Sequence, residues 1–178
     1  RTINVIDTAT DEVVWELEMD AGIRPMTFST NADGSTKSIF VQLSGFHGFA
    51  VVDFALQAEV ARVELPAIPG QEAHYDGLQG APAHGLGVPP DGKTVWATSK
   101  VYSHAYVYSL PELEPVGKIF VGQHPEWITF TPDGKTAYIG AAGDHVTYAV
   151  DVERMETVAV IPVGQVPKRV GTVLMAVD

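Results

Sequence analysis

The side chains best suited to chemistry in this sequence are its six histidines. An imidazole can ligate a transition metal or transfer a proton near neutral pH, so histidines that converge would form a candidate site. Three of them recur 20 to 22 residues after a proline: His47, His104 and His145. The others lie between or at the start of the same repeating units: His74, His84 and His124. The repeat therefore decides whether these side chains can meet.

Four prolines mark that repeat, and the intervals between them are 57, 43 and 42 residues: Pro25, Pro82, Pro125 and Pro167. A strand-like segment follows each of the first three prolines, then an Asp-Gly turn, then three more strand-like segments. Asp-Gly supplies the positive φ that a tight hairpin needs, and a period of about 40 residues is typical of a four-stranded propeller blade. The sequence therefore predicts an all-β fold, a β-propeller of four-stranded antiparallel blades.

The predicted blades lie within a single domain, residues 1–178, in which about four blades are represented. Three units span about 25–65, 82–121 and 125–163, and an insertion loop occupies 66–81. A fourth blade is predicted to be split, with 167–178 forming its inner strand and 1–19 its outer strands. Because three full blades and a defective fourth would leave a narrow ring with a gap, we expect the chain to be part of a larger ring. The alternative is a half-propeller that associates with a second copy.

Two segments resemble the YVTN-type propeller repeat, and the chain as a whole resembles the C-terminal portion of a β-propeller of that family. They are Pro132-Asp133-Gly134-Lys135-Thr136-Ala137-Tyr138-Ile139-Gly140 and Ile3-Asn4-Val5-Ile6-Asp7-Thr8-Ala9-Thr10. The resemblance implies a ring of about seven blades. It also implies an exported protein, periplasmic or extracellular, that acts as a scaffold or binding module.

In a propeller, the loops between the second and third strands of each blade lie at the same end as the connections between blades. The blade pattern therefore places all six histidines at this one end, which is called the rim below. We treat five of them as possible copper or zinc ligands: His47, His84, His104, His124 and His145. The alternative is that they are solvated loop residues.

A second candidate site lies at the mouth of the central channel. The first strand of each blade lines the channel, so the residues two positions after each proline point there: Thr27, His84, Trp127 and Arg169. Together with Arg24, Glu126 and Lys168 they could bind an anionic or aromatic small molecule. The arginine and lysine side chains would supply positive charge, and Trp127 would supply a face for stacking. The alternative is a channel mouth filled by packed and hydrated side chains.

The insertion carries Glu72, His74 and Asp76 at alternate positions. Long loops in compact folds are often functional, and these side chains could ligate a cation such as calcium. The alternative is an ordinary solvated lid.

The composition and the missing motifs exclude several classes of partner and of chemistry. The 22 acidic and 11 basic residues give a net charge of -11, which argues against nucleic acid as a partner. No cysteine is present, so thiolate chemistry is excluded. No apolar run is long enough to insert directly into a membrane. Motifs for a nucleophilic serine, a zinc protease or a phosphate-binding loop are missing.

Three functions follow, and whether the protein is an enzyme stays open. The first is a non-catalytic exported propeller that binds a protein partner or a small molecule through its histidine-bearing rim. The second is a copper- or zinc-dependent oxidoreductase, suggested by a fold-level resemblance to the copper domain of nitrous oxide reductase. The third is a lactonase-like hydrolase in which a rim cation activates water, with Glu72, Asp76 or Glu126 as the base.

Overall fold

A computed structural model describes residues 1–77, 79–173 and 175 of the chain. The described residues form fourteen strands, arranged as three four-stranded antiparallel sheets and one two-stranded sheet. The two-stranded sheet is a hairpin of β1 (Thr2–Asp7) and β2 (Glu12–Glu18). The predicted all-β propeller fold is confirmed.

Each four-stranded sheet is one blade, with its strands in sequence order. The first blade contains β3 (Ile23–Thr30), β4 (Thr36–Leu43), β5 (Gly48–Asp53) and β6 (Ala58–Glu64). The second contains β7 (Ala83–Gly87), β8 (Thr94–Ser99), β9 (His104–Ser109) and β10 (Pro115–Phe120). The third contains β11 (Pro125–Phe130), β12 (Thr136–Ala141), β13 (Val146–Asp151) and β14 (Glu156–Pro162).

The Asp-Gly turns close the first hairpin of each blade, as the repeat predicts. Gly92 and Gly134 have φ values of +67° and +70°, which a side chain at these positions would disfavour. In the third blade, the Asp133 carboxylate accepts hydrogen bonds from the Lys135 backbone N–H and the Thr131 hydroxyl. These local bonds fix the turn and so set the register of the strands on either side.

The blades pack face to face through apolar clusters. Trp96 of the second blade meets Phe130 of the third, edge to face, with ring centroids 5.8 Å apart. Phe49 of the first blade meets Tyr108 of the second in the same way at 5.8 Å. The β1–β2 hairpin packs on the other face of the first blade, where Ile3 is buried. This stacking brings the inner strands β3, β7 and β11 side by side.

The predicted split blade is only partly described. Residues 166–173 run beside β11, where the Lys168 carbonyl accepts from the Trp127 N–H at 3.3 Å. Within 163–173 and 175 no strand is formed, and no ladder joins these residues to the β1–β2 hairpin. Residues 174 and 176–178 lie outside the described residues, so the split blade stays a prediction.

No helix in the described ranges has the length and apolar character needed to cross a membrane.

Candidate functional site

The insertion loop is fixed against the rim that the repeat predicts for the histidines. The Gly45 N–H, in the β4–β5 loop, donates to the Gly80 carbonyl at 2.9 Å. The His74 N–H donates to the Val101 carbonyl, in the β8–β9 loop, at 3.0 Å. The described residues of the insertion, 66–77 and 79–81, therefore lie over the ends of the first two blades.

Beneath this rim lies a buried ion pair. The Lys100 Nζ is 2.8 Å from the Glu126 Oε1, and the two residues are only 2% and 3% exposed. The His84 Nδ1 lies 3.2 Å from the other carboxylate oxygen, Oε2, and His84 is 8% exposed. Charged side chains are rarely this buried unless they are paired, because removing them from water is costly. These three residues are called the buried triad below.

Close contact between two inner strands positions the carboxylate. The Thr98 hydroxyl donates to the Glu126 carbonyl at 3.0 Å and accepts from the Gly85 N–H at 2.7 Å. A Cβ placed on Gly85 would lie 2.0 Å from that same carbonyl oxygen. Only glycine allows β7 and β11 to approach so closely here, and this approach places Glu126 between His84 and Lys100.

His84 is held neutral at physiological pH. Burial lowers its pKa to about 4, and the positive charges of Lys100, Arg24 and Lys168 act in the same direction. The Glu126 carboxylate opposes this shift but does not overcome it. The Trp127 ring covers the imidazole edge to face, with centroids 4.3 Å apart.

Two polar atoms of the triad have no hydrogen-bond partner among the described residues: His84 Nδ1 and Glu126 Oε2. Their separation of 3.2 Å is short enough for a hydrogen bond, but the atoms are not aligned for one. Buried polar groups are nearly always satisfied, so this pair is an exception within the described residues.

Further cations surround the triad, and they come from distant parts of the chain. The Arg24 Nη2 donates to the Gln79 carbonyl at 2.8 Å. The Lys168 Nζ donates to the Gln79 side-chain oxygen at 3.2 Å. The Arg169 guanidinium lies over the Trp127 ring, 5.3 Å from its centroid. A chain with a net charge of -11 thus gathers positive charge at this position.

Two adjacent cavities open at the triad. One, of about 210 Å³, is lined by Glu126, Lys168 and Gln79 among others. The other, of about 400 Å³, lies under the insertion and is lined by Lys100 and Phe120 among others. Gln123 and His124 line both, so the cavities are neighbours, and the Lys100–Glu126 ion pair contributes one residue to each. The smaller one is called the channel-mouth cavity and the larger one the insertion cavity.

Most of the residues predicted at the channel mouth come together. The structure groups Arg24, His84, Glu126, Trp127, Lys168 and Arg169 around the triad. Thr27 lies farther along β3, opposite Phe40 in the ladder, and takes part in none of these contacts.

Sequence reasoning missed Lys100, the most buried cation of the site. It follows β8 directly, where a lysine reads as a solvated loop residue. The equivalent positions in the other blades hold Ser44 and Ala142, so the repeat gave no signal for it.

The histidines that the sequence predicts on one rim have separate partners. The His47 Nε2 is 2.8 Å from the Ser99 hydroxyl, and burial lowers the pKa of His47. His104 contacts the Tyr102 carbonyl through Nδ1. His145 accepts from the Val166 N–H. Over residues 1–77, 79–173 and 175, no three His, Asp or Glu side chains are grouped to hold a metal ion, and the copper or zinc site stays a prediction.

The three insertion residues Glu72, His74 and Asp76 are all exposed. Two of them, His74 and Asp76, line the insertion cavity. A calcium site at these residues likewise stays a prediction.

Three blades of antiparallel strands around one rim define a β-propeller, and solved structures agree. The fold is similar to that of hydrazine synthase from Kuenenia stuttgartiensis, with a TM-score of 0.67 and 23% identity, covering 85% of this chain and 39% of that one. It is also similar to a putative 6-phosphogluconolactonase from Bacteroides fragilis NCTC 9343, with a TM-score of 0.65 and 19% identity, covering 84% of this chain and 42% of that one.

The chain therefore spans about two fifths of the length of these two proteins. At this level of identity the likeness extends to the fold alone. No family model matches the sequence, and no curated protein matches it.

Proposed function

We propose that this propeller is a binding module for a small anionic molecule carrying a carboxylate or phosphate group, held at the channel mouth. The buried triad carries the proposal. It places a buried Lys100–Glu126 ion pair beside a cavity that Glu126 and Lys168 line, close to further cations.

The charged side chains around the channel-mouth cavity favour an anionic ligand. Lys168 and Glu126 line the channel-mouth cavity, and Arg24, Lys100 and Arg169 lie nearby, so cations outnumber the one carboxylate that lines this cavity. An ion that enters a cleft of low dielectric constant interacts with fixed charges more strongly than it would in water. The cations are also fixed by protein contacts, which reduces the entropy lost on binding.

The aromatic side chain favours the same conclusion. Trp127 already contacts the His84 imidazole and the Arg169 guanidinium. It therefore helps to position these two side chains. Of the two kinds of ligand predicted for the channel mouth, anionic and aromatic, these contacts support the anionic one.

Calorimetric titration with inorganic phosphate and with acetate tests the proposal at low salt. Lys168→Met should weaken binding about tenfold, since a hydrogen bond from a charged donor contributes roughly 1.5 kcal/mol or more. Lys118→Met is the matched control, because Lys118 lies exposed on the outer strand of the second blade and loses the same charge. Equal effects of the two variants, or no binding to the wild type, would contradict the proposal.

A hydrolase acting on lactones is a second candidate. A neutral imidazole beside a buried carboxylate, as in His84 and Glu126, can accept a proton from water. One structural neighbour is described as a putative lactonase. Hydrolysis of glucono-δ-lactone that is lost in His84→Gln would support this candidate, and a rate equal to the uncatalysed one would remove it.

An exported location and a protein partner on the same rim, both implied by the repeat resemblance, are also proposals.

A further inference from the structure

The insertion cavity has the composition of a sugar-binding subsite. Its wall combines one open aromatic ring, Phe120, with hydrogen-bonding side chains from the insertion and the blade connections, Gln71, Asp76 and Gln123. Lys100 forms the boundary with the channel-mouth cavity. At about 400 Å³ the cavity can hold one six-membered ring with its substituents.

Phe120 supplies an apolar platform. It is 53% exposed although it lines a cavity, and it is held edge to face against His104 and Tyr148 at centroid distances of 5.6 and 6.3 Å. A fixed aromatic face that remains open suits the apolar C–H face of a pyranose ring.

Side chains around the platform can bond to hydroxyl groups. The Gln71 Nε2 donates to the Tyr102 carbonyl at 3.0 Å, and this bond holds its amide in place. The exposed carboxylate of Asp76 can accept from two neighbouring hydroxyls. The Gln123 N–H is fixed by the Asp144 carboxylate at 2.8 Å, so the connection that carries the Gln123 side chain is held in position.

Lys100 connects this cavity to the proposed anion site. Its ammonium group has three N–H donors, and Glu126 is 2.8 Å away on one side. The side chain is 2% exposed and lines the insertion cavity, so a further donor can serve a ligand that lies there. A carboxylate placed at this boundary would also approach the positive charge at the channel mouth.

We infer that the ligand is a hexuronate, a pyranose ring with a carboxylate substituent. The ring would pack on Phe120 in the insertion cavity, and the carboxylate would lie between Lys100 and the channel-mouth cations. This inference rests on the proposed anion-binding function and gives it a ligand class.

Calorimetric titrations with D-glucuronate, D-glucose and acetate test this inference. We expect glucuronate to bind at least tenfold more tightly than either glucose or acetate, because only glucuronate combines a ring for the Phe120 platform with a carboxylate for Lys100. Phe120→Ala should weaken glucuronate binding about tenfold and change acetate binding less than twofold. Phe28→Ala is the matched control, since Phe28 is 48% exposed on β3 and lines neither cavity.

The outcomes separate the two proposals. The hexuronate subsite would be overturned if glucuronate bound no more tightly than acetate, or if Phe120→Ala left glucuronate binding unchanged. Acetate binding would still support the anion site in either case. Glucose that binds as tightly as glucuronate would also overturn the hexuronate subsite. Failure of acetate, phosphate and glucuronate alike would overturn both proposals.

Discussion

Removing Lys100 alone should destabilise the protein more than any surface substitution. At 2.8 Å and an effective dielectric constant of about 20, its attraction to Glu126 is about 6 kcal/mol, part of which offsets the desolvation of both groups. Lys100→Met leaves a buried carboxylate beside the neutral His84. We therefore expect the free energy of unfolding to fall by about 3 to 5 kcal/mol.

Urea unfolding followed by tryptophan fluorescence measures this loss, with Trp127 near the site as one reporter. The double variant Lys100→Met/Glu126→Gln removes both charges and should recover more than half of the lost stability. Lys118→Met, the exposed control, should change stability by less than about 0.5 kcal/mol. A loss below about 1 kcal/mol for Lys100→Met, or a double variant no more stable than the single one, would refute the reasoning.

Two further predictions concern the same strands. The pKa of His84 is about 4 in the folded protein, against an ordinary value of 6.5. Between these two pH values the unfolded chain binds more protons than the folded one, so the free energy of unfolding falls as the pH falls. The loss reaches about 3 kcal/mol at pH 4. The stability of the wild type relative to His84→Gln should therefore fall as the pH falls from 7 to 4, because the variant has no imidazole at this position, and a constant difference would contradict the prediction. Gly85→Ala should lower the free energy of unfolding by more than about 2 kcal/mol, because its Cβ would meet the Glu126 carbonyl oxygen. Gly164→Ala is the control and should not lower it, because no atom lies within 4 Å of a Cβ at that position. A melting temperature of Gly85→Ala equal to that of Gly164→Ala would contradict the proposed close approach.

The repeat made the fold predictable. Proline spacing, Asp-Gly turns and apolar alternation are local signals, and each acts within one hairpin or one blade. The predicted second and third strands of the third blade, 136–140 and 146–151, therefore match β12 and β13 to within a residue. The same period predicted that Glu126, Trp127 and His84 lie near the channel, because it fixes which end of each inner strand meets the rim.

The sequence by itself determined the blades, and it predicted the histidine-bearing rim and the channel-mouth residues. Tertiary structure decided which of them interact. Lys100 became part of the site only because β7 and β11 approach closely enough, at Gly85, to place the Glu126 carboxylate within reach of its ammonium group. Burial, rather than residue type, then set the protonation of His84. Neither property has a local signal, since both depend on how one blade packs against the next.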